Sequence, residues 1–193
     1  MVSKKDLLTT HHSPLTIPIE MRWIWIDRFV KPFRRGEFAR AVKQWSLAED
    51  LFAAHFPDYP IIPAALLIEG LAQTGGILVG DANDFREKVV LAKIPKATFY
   101  ADVLAGQELT YEARLVHLRT EGAVVSGRIT AAGGQLVAEA EIYFAHLDQS
   151  RSQQVFGDRN FVFSGELKHL LGLARDFADK EGSGEAGPAP QPP

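Results

Sequence analysis

The sequence predicts an α+β fold: one long helix buried on most of its faces, with an antiparallel sheet to cover it. Three observations carry that prediction. From Ala64 to Val79 helix formers dominate and apolar residues recur almost all round, as in a helix with little solvent face. Further on, Leu109, Tyr111, Ala113 and Leu115 alternate with Thr110, Glu112 and Arg114, the period of a half-buried strand. Gly122 and the pair Gly133-Gly134 then punctuate the chain as hairpin turns, which join antiparallel neighbours.

Size and composition agree. A chain of 193 residues fits one domain plus tails, and 46% apolar with 23% charged residues is ordinary for a globular protein. The net charge of −3, with no basic stripe, argues against a nucleic-acid partner. Absence of cysteine excludes disulfides and thiol catalysis and fits a cytoplasmic protein. The first fifteen residues hold no apolar core of a secretory signal, and Glu69 and Gln73 interrupt the one long apolar run. A soluble, cytoplasmic protein is expected. His11 and His12 have no other ligand nearby, so neither a metal site nor a cofactor is expected.

In order, residues 1–16 read as a flexible arm and 17–147 as the domain. The aromatic and β-branched stretch 22–30 reads as a strand, and 37–46 as a second. Residues 46–54 open with Ser46 and carry Glu49 three residues on, the signature of a short capped helix. Pro57, Pro60 and Pro63 keep the next stretch extended or turned until Pro63 starts the long helix. Residues 81–88 read as a polar loop. The stretch 89–103 reads as a strand in which Pro95 demands an edge or a bulge. Strands over 109–115, 123–130 and 135–147 follow, the last with Leu136, Ala138, Ala140, Ile142 and Phe144 on one face. Residues 148–179 form an extension in which Ser164 caps a helix over 165–178, with Leu167, Leu170, Leu171, Ala174 and Phe177 as its stripe. The Gly/Pro/Glu tail, 180–193, is expected to be disordered.

One residue of the long helix calls for a reason. A carboxylate such as Glu69 in a buried helix is costly unless it is paired, protonated or at work. Gln73 lies one turn on, where its amide reaches and orients that carboxyl group. The alternative is a solvent-capped acid at the rim of a sheet or subunit. His55 lies in the proline-punctuated loop before the long helix, and alone it reads as a hydrogen-bonded loop histidine. His117, His146 and His169 have no comparable partner in the sequence and read as surface or strand-end residues.

The run His55-Phe56-Pro57, Pro60-Ile61-Ile62-Pro63-Ala64, then Leu67-Ile68-Glu69-Gly70-Leu71-Ala72-Gln73 resembles the core motif of β-hydroxyacyl-acyl carrier protein dehydratases of the FabZ type. Ile26-Asp27-Arg28, Lys96-Ala97-Thr98-Phe99 and Val137-Ala138-Glu139-Ala140-Glu141 resemble the family's flanking strands, so the likeness covers roughly residues 17–147. It implies a hot-dog fold, the sheet wrapped around the helix. It implies dehydration of a 3-hydroxyacyl thioester to the trans-2-enoyl product, with His55 and Glu69 catalytic. Phe56, Ala64, Gln73, Phe99 and Tyr100 are then the substrate-binding candidates, Tyr100 as gate or wall of an acyl tunnel. The partner implied is acyl carrier protein in fatty acid or related lipid synthesis. Family members build each site from the histidine of one subunit and the glutamate of the other, so a homodimer is expected, and trimers of dimers are frequent in the family. Neither catalytic role needs a cofactor.

The chain departs from the family pattern at three places. Ala64 stands where the family has a glycine whose N–H polarises the thioester carbonyl, and Asp58 replaces the glycine after His-Phe-Pro. After Phe99, where the family often has basic residues for carrier docking, the chain has Tyr100, Ala101 and Asp102. Docking then falls to Lys93, Lys96, Arg86 or Lys88. Two other readings remain at this level: a thioesterase or CoA-linked hydratase, and a non-catalytic acyl-binding protein.

Overall fold

The computed structural model describes residues 23–55, 58–147 and 165–182, with side chains to Asp176 in the last stretch. Its elements are β1 (Arg28–Phe29), β2 (Phe38–Gln44), α1 (Leu51–Ala54), α2 (Ala64–Ala82), β3 (Lys88–Phe99), β4 (Glu108–Arg119), β5 (Gly122–Ala131), β6 (Leu136–Leu147) and α3 (Gly165–Gly182). The strands form one antiparallel sheet in the order β1-β2-β4-β5-β6-β3. The helix α2 lies in its concavity, and from Gly70 to Asp81 all its residues are buried. This is the hot-dog arrangement.

Helix and sheet approach closely because small residues meet large ones. Gly127 on β5 leaves room for Leu71, whose Cδ2 lies 2.5 Å from where a Cβ would stand. Gly70 does the same for the ring of the fully buried Tyr111, at 2.8 Å. The inward faces of β4, β5 and β6 supply Leu109, Tyr111, Val125, Ile129 and Ile142, all fully buried. The outward face is charged, with Arg40 donating to Glu112 and Arg128 beside Glu139.

Several boundaries differ from the sequence reading, each for a visible reason. The first strand shrinks to Arg28–Phe29 because the backbone at Trp23 and Trp25 bonds to the Gln73 amide instead of a neighbouring strand. Before α1 the chain only turns: Ser46 Oγ accepts from the Ala48 N–H, while Glu49 reaches Lys43 rather than closing a capping box. The helix α2 runs through the expected loop start to Ala82. Asp81 stays helical because its buried carboxylate meets Arg175 of α3 at 2.7 Å. The strand β3 ends at Phe99, and Pro95 sits in a register shift of this edge strand, as its chemistry requires. The C-terminal helix extends to Gly182, past the expected 178, and docks Leu167 and Leu171 into the core. The N-terminal arm, Ser164 and residues 183–193 lie outside the described residues, as does the Phe177 side chain. Among the described residues no helix is long and apolar enough to cross a membrane.

Candidate active site

The short helix α1 ends at His55, whose backbone is extended and whose N–H returns to Leu51 O at 2.9 Å. Pro60 and Pro63 hold the following backbone open, so it pairs with residues 101–105 instead of coiling. Ile62 donates to Val103 O at 2.8 Å, Ala105 donates to Pro60 O at 3.0 Å, and Ile61 bridges Leu104. Between these segments and the start of α2 lies a cavity of about 200 Å³, lined among others by His55, Ile62, Ala64, Leu67, Phe99 and Asp102. Leu66 and Leu67 return their N–H groups to Pro63 O, which leaves the amides of Ala64 and Ala65 without an intrahelical acceptor. The positive end of the buried helix therefore opens at the cavity that His55 lines.

Glu69 does not line this cavity. It follows Leu67 by two residues, a little over half a turn at about 3.6 residues per turn, so it projects from the opposite side of α2. There it is half-buried and held by Gln73, whose Nε2 donates to Glu69 Oε1 at 3.0 Å and to Trp23 O at 2.9 Å. Gln73 Oε1 accepts the Trp25 N–H at 2.8 Å, so the amide has one orientation and presents only donors to Glu69. Gln73 itself is buried and orients Glu69, and it does not reach the cavity.

The remaining candidates divide. Ala64 and Phe99 line the cavity, and Phe56 lies outside the described residues. Tyr100 points to the outer face, where its hydroxyl donates to Glu139 at 3.1 Å; that bond and the nearby carboxylate hold its pKa up. It does not line the cavity. Arg86 precedes β3 and Lys88 begins it, eleven residues and roughly 35 Å of strand from Phe99, at the far end of the same protomer. Lys93 stacks over the ring of Tyr143 at 4.7 Å.

Asp102 on the cavity wall escaped the sequence reading, since alternation stops giving a side chain's direction where β3 ends. His146 was expected without a partner. It does end a strand, but it is buried, and its Nδ1 lies 3.2 Å from both Glu87 Oε2 and Thr120 O. A wider hollow of about 440 Å³ lies at the opposite end of the sheet, by the β4–β5 hairpin, away from the helix terminus. Among the described residues no group of three or more His, Asp or Glu is placed to hold a metal.

A family model described as the FabA-like domain matches residues 21–141. A 3-hydroxyacyl-[acyl-carrier-protein] dehydratase FabZ of Oceanobacillus iheyensis is 34% identical over 131 residues, covering 67% of this chain and 91% of that protein. The chain belongs to the FabZ-type dehydratase family. The FabZ of Listeria welshimeri is likewise 34% identical over 134 residues, covering 68% of this chain and 91% of its own. Among solved structures, a hypothetical thioesterase from Streptococcus pneumoniae with coenzyme A superposes at a TM-score of 0.51. It shares 14% identity and covers 61% of this chain and 84% of its own, a likeness of fold. The FabA-like match ends at residue 141, before the docked C-terminal helix α3.

Proposed function

We propose that this FabZ-type chain removes water from (3R)-3-hydroxyacyl thioesters carried on acyl carrier protein, in fatty acid or related lipid synthesis in the cytoplasm. The observation that carries this reading is the meeting of His55 and the open N-terminus of α2 on one cavity, with Glu69 fixed by Gln73 on the opposite side of the helix. His55 is the group to take the C2 proton, since an imidazole is basic near neutrality. The amides of Ala64 and Ala65 hold the thioester oxygen as enolate charge develops. Glu69 gives a proton to the departing hydroxyl, which leaves as water. The C2–H and C3–O bonds break and the C2=C3 bond forms. The hydroxyl leaves as water with the proton from Glu69, and the C2 proton held by His55 passes back to Glu69 through solvent to restore both groups.

One protomer supplies half of this. Its cavity is smaller than the roughly 300–1,000 Å³ of a complete ligand pocket, and its own Glu69 faces away. A second copy, set against the exposed first turn of α2 and the open edge of β3, brings its Glu69 to the first copy's His55. Leu91 and Phe99 on β3 are 47% and 43% exposed, which supports an edge that is covered in the working assembly. A homodimer is the smallest active unit, and three such dimers are a compatible higher assembly.

The test is to incubate the protein with a 3-hydroxyacyl-carrier protein and follow enoyl formation, repeating with His55→Ala and Glu69→Gln. Enoyl product lost in both variants supports dehydration. Release of free acid would make the protein a thioesterase, and no turnover of any thioester would make it a binder.

A further inference from the structure

We propose that Asp102 is a substrate-binding residue that accepts the N–H of the cysteamine amide, the amide nearest the sulfur in the thioester's handle. The proposal rests on the dehydratase reading and extends it to how the handle is gripped.

Among the described residues that line the cavity, Asp102 is the only ionisable one besides His55, and the others are apolar. It sits on a strap fixed at both ends. Tyr100 donates its N–H to Val137 O at 2.8 Å and its hydroxyl to Glu139 at 3.1 Å. Val103 is buried and accepts from Ile62, and the Leu104 N–H goes to Gln107 Oε1 at 2.9 Å. The backbone that carries Asp102 is therefore fixed, and the exposed residue stands at the cavity wall.

The cavity presents donors at the N-terminus of α2 and an anionic acceptor at Asp102, with Ile62, Leu67, Phe99 and Val103 among the walls. A cysteamine thioester offers the complement in order. Its carbonyl oxygen is an acceptor, sulfur and two methylenes are apolar, and the amide N–H is a donor. At about 200 Å³ the space suits that short segment rather than a whole acyl chain. The grip uses nothing beyond the cysteamine amide, so free N-acetylcysteamine thioesters are adequate probes.

The experiment compares two 3-hydroxybutyryl thioesters, one of N-acetylcysteamine and one in which an ester oxygen replaces the amide N–H. Each is run with wild type, Asp102→Ala and Asp102→Asn. A hydrogen bond to a charged acceptor is worth about 1.5 kcal/mol at its lower end, so wild type is expected to favour the amide about ten-fold in kcat/KM. Asp102→Ala is expected to favour it less than about two-fold, with Asp102→Asn, which keeps an acceptor, in between. Equal amide preference in wild type and Asp102→Ala, or none in wild type, would overturn the assignment. If wild type dehydrates neither compound, the dehydratase reading falls on its own. Calorimetric binding of the unreactive butyryl pair then decides for Asp102 by the same preference and its loss.

Discussion

The chemistry of the site is set by which atoms of Gln73 are already committed. Its carbonyl oxygen takes the Trp25 N–H, so only N–H groups remain for Glu69 Oε1 and Trp23 O. Oε1 of Glu69 is thereby an acceptor, and in the proposed reaction Oε2 is the oxygen left to exchange a proton with substrate. Replacing Gln73 by Leu removes three bonds at once. We expect kcat/KM to fall about 10–100-fold and stability by about 1–3 kcal/mol, the latter read from the urea midpoint. His55→Ala and Glu69→Gln should instead lower kcat/KM by about 10²–10⁴ while leaving the urea midpoint nearly unchanged, since neither side chain is fully buried. At this scale the sequence spoke clearly where spacing alone decides neighbours, as one helical turn does for Glu69 and Gln73. It was silent where tertiary folding decides. Glu87 and His146 meet only because β3 and β6 pair, and Asp102 reaches the cavity only because the strap is stitched to Pro60 and Ile62.

Among the elements, α2 has the tightest constraints. A methyl added at Gly70 would stand 2.8 Å from Tyr111 Cζ and 2.9 Å from Trp25 O, a ring packed on all sides and a backbone oxygen with little room to yield. Gly70→Ala is therefore expected to destabilise by about 1–3 kcal/mol, as overpacking does, and to lower the urea midpoint. At the other end, Asp81 is 4% exposed, near the helix C-terminus where negative charge is disfavoured. Arg175 is what makes it tolerable, and about half of that side chain is in solvent. Arg175→Ala should cost about 2–3 kcal/mol, below the full penalty for a buried pair, and Asp81→Asn in the same chain should restore part of it. Thermal unfolding of the two variants checks both. The sequence pattern identified α2, β2 through β6 and α3, because alternation and apolar stripes record burial directly. It missed the end of α2, since a charged residue at the close of an apolar run looks like a loop until its partner ninety-four residues later is known.

For the whole molecule, the sheet leaves β3 as an edge and α2 presents its two functional faces in opposite directions. A single copy is then unable to bring its own His55 and Glu69 together, so the proposed reaction requires a pair. The sequence motif implied that division through family likeness, and the phase of α2 now supplies a physical ground for it. Subunit mixing tests the claim most directly. Refold His55→Ala and Glu69→Gln together in equal amounts and assay dehydration of 3-hydroxyacyl-carrier protein. In a mixed dimer the intact His55 of one copy faces the intact Glu69 of the other at one of two sites. Half the dimers are mixed, so about a quarter of wild-type activity should return. Activity no greater than that of either variant alone would mean that each site draws both residues from one chain.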